Sequence, residues 1–151
     1  MPNFFRYDLK INICIKNKCI KCCKQTSMLL SYKDIGRIQN KGFNINYFVR
    51  KKNGWLKLKN KDGKCVFHNG KICLIYDSRP DGCKIYPLIF NEENKNAVID
   101  KECPYKDSFN FNSKDTKKLY SLINQLKSER NNRKKKIKLL IALIYYFFDF
   151  L

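Results

Sequence analysis

Eight cysteines constrain this chain more than any other feature, because four of them crowd into ten residues and four follow singly far downstream. They are Cys14, Cys19, Cys22, Cys23, Cys65, Cys73, Cys83 and Cys103. Thiolates two residues apart can bind one metal ion, since a tight turn aims both sulfurs inward. Buried free thiols behave as small hydrophobes, but that role suits one or two cysteines rather than the whole group. The spacing therefore predicts a metal site to which distant segments contribute.

The expected compartment supports the same prediction. The first ten residues lack a long apolar run, so we expect no secretory signal and a cytoplasmic location. Thiols stay reduced there, and clustered cysteines bind metal more often than they form disulfides. A disulfide framework is the alternative. The length of 151 residues predicts one folded core. We divide the chain into a cysteine-cluster domain at residues 1–112 and a helical segment at residues 113–151.

The net charge of +19 raises the possibility of a nucleic-acid-binding protein. Only six of the 32 basic residues are arginine, whereas nucleic-acid interfaces favour arginine for bidentate contacts to bases. Lysine, asparagine and isoleucine, all abundant here, have A/T-rich codons, so a biased genome accounts for the composition as well. We therefore do not expect nucleic acid to be the partner; a protein or redox partner, still unidentified, is expected instead.

Local signals in the first third of the chain predict one strand and one helix. Alternating apolar residues predict a strand within residues 4–13. Ser31, followed three residues later by Asp34, forms a capping-box pattern and predicts a helix over residues 32–40. Gly42 is expected to end that helix. The cysteine cluster between these two elements is expected to form a loop, because closely spaced ligands need a backbone that doubles back.

The middle of the chain reads as antiparallel strands. Apolar and polar residues alternate from Phe43 to Val49, which predicts a strand. Three turn signals follow, at Asn53-Gly54, Asp62-Gly63 and Asn69-Gly70. They predict a meander that ends in a strand at residues 72–76 and carries Cys65 and Cys73. A second hairpin is expected to pair residues 88–90 with residues 97–99.

The last third is predicted to be helical from Ser113, with a break near Asn131-Asn132. A basic segment, residues 127–138, precedes ten consecutive apolar residues at 139–148. A bilayer-spanning helix needs about 20 apolar residues, so this run is expected not to span a membrane. It would pack on the domain or in a homodimer, or would contact a membrane surface. Together these signals predict an α+β fold: a small cysteine-rich domain with short antiparallel strands and a helical C-terminus.

The residues alone do not decide between zinc and an iron–sulfur cluster. All-sulfur ligation suits both zinc and iron–sulfur clusters. Cys103 is followed directly by Pro104, a pairing found in iron–sulfur sequences. His68 is the only histidine, and its place beside a predicted turn favours an exposed side chain over a ligand.

The chain resembles the YkgJ-like family of cysteine-cluster proteins, which is described as a zinc- or iron-chelating domain. The resemblance covers residues 14–104. The matching stretches are Cys19-Ile-Lys-Cys22-Cys23, Asp34-Ile35-Gly-Arg37-Ile38, Cys65-Val-Phe67, Cys73-Leu-Ile75-Tyr76, Arg79-Pro80, Cys83-Lys84 and Tyr86-Pro87. The sequence departs from the family pattern where Cys14 precedes Cys19 by a four-residue gap instead of two, which makes Cys14 the least secure ligand. Lys84 also replaces the usual arginine.

The resemblance implies a metal centre held by the cysteines, most simply a 4Fe–4S cluster with a redox or electron-transfer role, or Zn²⁺. A structural zinc module that binds a partner is one alternative. Another is a cluster-dependent protein-modifying enzyme, because one branch of the family resembles flagellin lysine N-methylases; an enzymatic activity is therefore left open. Arg79 is a candidate to support the centre by hydrogen bonding, and stacking on Tyr76 or Tyr86 is its alternative role.

Overall fold

The computed structural model describes residues 13–148, except for the side chains at positions 142 and 145–148. Four helices and three antiparallel hairpins make up this part of the chain, which confirms the α+β prediction. The helices are α1 (Tyr32–Gln39), α2 (Ile45–Phe48), α3 (Asp81–Ile85) and α4 (Ser113–Phe148). The strands are β1 (Val49–Lys52), β2 (Trp55–Leu58), β3 (Asn60–Lys61), β4 (Lys64–Cys65), β5 (Leu88–Asn91) and β6 (Asn96–Ile99). Short 3-10 helices occur at Lys21–Cys23, Tyr76–Ser78 and Lys106–Ser108.

The predicted hairpin turns lie where the sequence placed them. β1 pairs with β2 across Asn53-Gly54, where both residues have positive φ, 51° and 78°. β3 pairs with β4 across Asp62-Gly63, which has the same backbone conformation. Asparagine, aspartate and glycine tolerate this left-handed region better than other residues, which is why these dipeptides favour tight hairpins. The predicted pairing of residues 88–90 with 97–99 is likewise present as the β5–β6 hairpin.

The predicted meander, by contrast, is wrong at both ends. The segment predicted as a strand at 43–49 forms α2, whose first turn is capped by the side chain of Asn44. The segment at 72–76 pairs only through an isolated bridge between His68 and Cys73. The β1–β2 and β3–β4 ladders are separate two-stranded sheets rather than one. The predicted strand at 4–13 lies outside the described residues apart from its last residue, which is in a helical turn at 13–16.

Packing around Phe67 explains why α2 replaces a strand. Phe67 is fully buried and its ring meets those of Phe43, Tyr47 and Phe48, with centroids 4.9, 5.8 and 5.5 Å away. The extended N-cap at Asn44 lets Phe43 fold back on the helix, and the rings of Phe43 and Tyr47 stack 6.0 Å apart. In a strand the same residues would also share one face, but Phe48 would point away from Phe67.

The capping box at α1 is formed as predicted. The Oγ of Ser31 accepts a hydrogen bond from the Asp34 amide at 3.1 Å, and Oδ2 of Asp34 accepts one from the Ser31 amide at 3.0 Å. Ile35 and Ile38 on the same helix are buried in the main core. The cap therefore fixes the start of α1 while the helix is held down by its apolar side.

Helix α4 runs through Asn131-Asn132 without the predicted break. Both asparagines face solvent, where they cost a helix only a few tenths of a kcal/mol relative to good helix formers. The helix is fastened to the first hairpin turn by two arginines: Arg130 Nε donates to the Asn53 carbonyl at 3.0 Å, and Arg133 Nε to the Gly54 carbonyl at 2.8 Å. No helix among residues 13–148 is long and apolar enough to cross a membrane.

Candidate metal centre

The eight cysteines lie on several short elements and loops, and all are free thiols. Cys14 is in the helical turn at 13–16, and Cys22 and Cys23 are in the 3-10 helix Lys21–Cys23. Cys65 is the last residue of β4, and Cys83 is inside α3. The remaining three are Cys19, Cys73 and Cys103. Cys65 and Cys103 are buried, Cys22 is exposed, and the others are partly buried.

The N-terminal segment doubles back on itself, as expected for clustered ligands. The Cys19 amide donates to the Cys14 carbonyl at 2.8 Å, and Lys18 between them has a positive φ of 50°. A bridge between Lys24 and Lys64 then fastens this segment beside Cys65. Sequence-distant cysteines are therefore held close together by backbone pairing.

The thiols are near enough for the charge of one to act on another, and Cys22 affects the pKa of most of the others. A thiolate at Cys22 contributes to raising the pKa of six other thiols, those of Cys14, Cys23, Cys65, Cys73, Cys83 and Cys103. Cys19, the eighth, acts in the same way on Cys14 and Cys103. The eight cysteines thus form one connected group, which we call the thiol cluster.

The adjacent pair Cys22 and Cys23 is strongly asymmetric. A hydrogen bond with Cys23 is the main cause that lowers the pKa of Cys22 to about 7. The same hydrogen bond, followed by burial, raises the pKa of Cys23 well above its ordinary value. Cys22 is therefore the member of the pair that loses its proton first.

Burial dominates the rest of the thiol cluster. It is the first cause that raises the pKa of Cys14 and of Cys65, each to about 11. It also raises the pKa of Cys73 and, much further, that of Cys83. Arg79 opposes the rise at Cys73 and Cys83, because its positive charge favours a thiolate.

The donor set fits a soft metal by its chemistry. It consists of free thiols without a disulfide, which suits zinc or an iron–sulfur cluster. Within residues 13–148, however, no three cysteine, histidine or acidic side chains are already arranged to hold a metal ion. His68 was predicted to be exposed, and this is wrong: it is only 6 % exposed, and its Nδ1 accepts a hydrogen bond from the Gly70 amide at 3.0 Å.

Arg79 makes the stacking contact considered for it and a hydrogen bond to a backbone carbonyl. Its guanidinium lies 3.9 Å from the centre of the Tyr76 ring, the stacking arrangement, and Nη1 donates to the Tyr76 carbonyl at 2.8 Å. No direct hydrogen bond from Arg79 to a thiol is formed within the described part of the chain. Its effect on the thiol cluster is thus a through-space charge effect.

Two residues of α1 hold the loop that carries Arg79: Asp34, which the sequence assigned only to the helix cap, and Arg37, which it assigned no role. Arg37 donates to the carbonyls of Ser78 and Arg79 at 3.2 and 2.9 Å. Asp34 accepts from the Asp81 amide, at the start of α3, at 2.9 Å. We call this arrangement the Asp34–Arg37 clasp. The signal was present in the Asp34-Ile35-Gly-Arg37-Ile38 match, but a sequence motif does not show what its side chains contact.

Helix α3, which carries Cys83, is also seated by close packing. A Cβ atom at Gly82 would overlap the Sδ atom of Met28. The absence of a side chain at Gly82 therefore lets α3 approach the segment just after the N-terminal cysteines. The clasp and this contact together hold the helix that carries Cys83.

Comparison with known proteins identifies one relationship. The family model CxxCxxCC, described as "Putative zinc- or iron-chelating domain", matches residues 13–104. The match begins at the helical turn that contains Cys14 and ends just after Cys103, so it includes all eight cysteines. No curated protein and no solved structure matches the chain.

Proposed function

The chain belongs to the CxxCxxCC family of zinc- or iron-chelating domains, and from that premise we propose that it carries an iron–sulfur cluster on the thiol cluster. The observation that supports the proposal most is that eight free thiols from separate segments lie near enough for their charges to act on one another, Cys22 on six of them and Cys19 on Cys14 and Cys103. The ligands would come from Cys19, Cys22, Cys23, Cys65, Cys73, Cys83 and Cys103, with Cys14 at the edge. A single four-coordinate site uses half of them, so the others make a second centre or support the first.

The chemistry favours a cluster over a lone zinc ion at two points. Cys103 is buried and precedes Pro104, as in iron–sulfur sequences. Arg79 places a positive charge near the thiol cluster, and nearby charge is one of the factors that set the potential of iron–sulfur clusters. A bound cluster would supply one-electron transfer, which makes a redox or electron-transfer role the proposed function; the reaction partner is not assigned.

Purification without oxygen tests this proposal. We expect a brown protein with broad visible absorption that contains iron and acid-labile sulfide, because the donors are all sulfur. A colourless protein with stoichiometric zinc would overturn the cluster and support a structural zinc module. Protein that takes up neither zinc nor iron after reconstitution would overturn metal binding as a whole.

Metal uptake should release protons. The pKa of Cys14 and of Cys65 is about 11, and those of Cys23 and Cys83 are also raised, so these thiols are protonated at neutral pH. Metals bind thiolates, so each ligating thiol must lose its proton. Apparent Zn²⁺ affinity should therefore rise from about pH 6 to about pH 8. Calorimetric titration in two buffers of different ionisation enthalpy measures the protons; binding without proton release would show that these thiols do not ligate.

A further inference from the structure

The second half of helix α4 projects from the folded domain. In its first half, Leu119, Leu122 and Leu126 are buried against the protein. Arg133 is the last buried residue, and every side chain described from Lys134 to Ile144 is exposed. The core of the domain therefore does not stabilise the exposed part of the helix. Its apolar side chains call for a binding partner outside the domain.

The projecting part is apolar around most of its circumference. Leu139 and Leu140 are 64 % and 59 % exposed, and Ile141, Leu143 and Ile144 are exposed to a similar degree. Successive residues are about 100° apart on a helix, so these five positions cover more than half of its surface. A partner helix or a groove requires one apolar stripe. A surrounding that contacts several sides of the helix at once fits better.

A collar of lysines sits just before this apolar tip. Lys134, Lys135, Lys136 and Lys138 are exposed, and none makes an ion pair within the part of the chain that the structure describes. These four positions also point to several sides of the helix. The order along α4 is thus buried anchor, cationic collar, apolar tip.

We propose that the projecting part of α4 inserts at the headgroup–acyl boundary of a membrane that contains anionic lipid. The ten apolar residues at 139–148 span about 15 Å at 1.5 Å per residue, roughly half of a hydrocarbon core about 30 Å thick. Asp149 follows them directly, and a carboxylate is costly at the bilayer centre, so the tip lies along the boundary between headgroups and acyl chains. The lysine collar lies at the headgroups, where lysine is attracted to anionic lipid. A second copy packed in parallel would bring two cationic collars together, and nucleic acid would leave the apolar tip in water.

Vesicle sedimentation of the full chain tests the proposal. We expect binding to phosphatidylcholine vesicles that contain about one third phosphatidylserine, at least about tenfold stronger than to phosphatidylcholine alone. The difference should shrink in about 1 M salt, where the Debye length is about 3 Å. No binding to either vesicle would overturn the proposal. So would a stable dimer in which the tip is covered, or tighter binding to an oligonucleotide that displaces the vesicles.

Two sets of variants separate the tip from the collar. L140D with I144D should abolish vesicle binding, because both side chains are exposed and each carboxylate would enter hydrocarbon. K134E with K135E should remove the preference for anionic lipid, whereas K41E with K61E, the same charge change on exposed residues of the domain, should not. An unchanged circular dichroism spectrum shows that each variant is folded. Binding that survives L140D with I144D would overturn insertion of the tip.

Discussion

Replacing Asp34 with alanine should lower the free energy of unfolding by about 3–5 kcal/mol, the range for breaking a buried ion pair. Asp34 is fully buried. Its carboxylate accepts hydrogen bonds from Arg37 Nη2 at 2.6 Å, the Asp81 amide at 2.9 Å and Ser31 Oγ at 2.8 Å. Alanine removes all of these acceptors: the Asp81 amide loses its partner, and Arg37 keeps only the Arg79 carbonyl and the Asp81 carboxylate as acceptors for Nη2. Urea denaturation of the metal-free protein, followed by circular dichroism, measures the loss.

Two matched variants separate the clasp from the cap. Ser31→Ala removes only the capping hydroxyl and should cost about 1 kcal/mol. Asp34→Asn keeps the size of the side chain but loses its charge and presents donors to Arg37 and to the Asp81 amide, so it should resemble Asp34→Ala more than Ser31→Ala. If Asp34→Ala costs no more than Ser31→Ala, the carboxylate does not hold the Arg79 loop.

Substituting Cys83 by serine should lower metal affinity at least about 100-fold, beyond the roughly 10–100-fold cost of disturbing an outer-shell partner. Cys83 is in a helix held by the clasp, and its pKa is raised well above normal first by burial and then by the charges of Cys22, Cys65 and Cys73. A thiol surrounded by three others is poorly replaced by a hydroxyl at a soft metal. Iron, sulfide and zinc analysis after anaerobic reconstitution measures the effect.

Cys14→Ser is the matched control for this variant. Cys14 is a partly buried thiol of the same group, but it lies beyond the four-residue gap where the sequence departs from the family pattern. We expect it to retain most of the metal. Full metal content in Cys83→Ser would show that Cys83 is not a ligand, and loss in Cys14→Ser alone would reverse the assignment of the two thiols.

The parts of the fold that the sequence predicted correctly depend on local geometry. The hairpin turns at Asn53-Gly54 and Asp62-Gly63 follow from residues that tolerate positive φ, and the start of α1 follows from a cap whose partners are three residues apart. These interactions are contained in a few consecutive residues. A distant contact was not needed to recognise them.

The errors come from contacts between distant residues. Residues 43–49 alternate between apolar and polar, as in a strand. The rings of Phe43 and Tyr47 instead pack on Phe67, far along the chain, and this segment forms α2. The break expected at Asn131-Asn132 is absent because arginines on either side of it attach the helix to the first hairpin turn. A short apolar pattern does not reveal such partners.

In the candidate site, too, the sequence predicted the features that depend on nearby residues and missed those that depend on distant contacts. The cysteines were recognisable as a group because residue type and spacing carry the chemistry. The clasp was not, because Arg37 reaches carbonyls 41 and 42 residues away and Asp34 an amide 47 residues away. Whether each cysteine ligates stays a prediction.

The unbroken course of α4 has a consequence for how the thiol cluster would meet other molecules. From Arg133, the last buried residue, to Leu139, the first residue of the apolar tip, the helix rises about 9 Å at 1.5 Å per residue. A rigid rod of that length is a short spacer. If the tip is held in a membrane, the domain that carries the thiol cluster stays close to the bilayer surface. If the domain also carries the proposed iron–sulfur cluster, electron donors or acceptors at the same membrane would reach it more readily than those in solution.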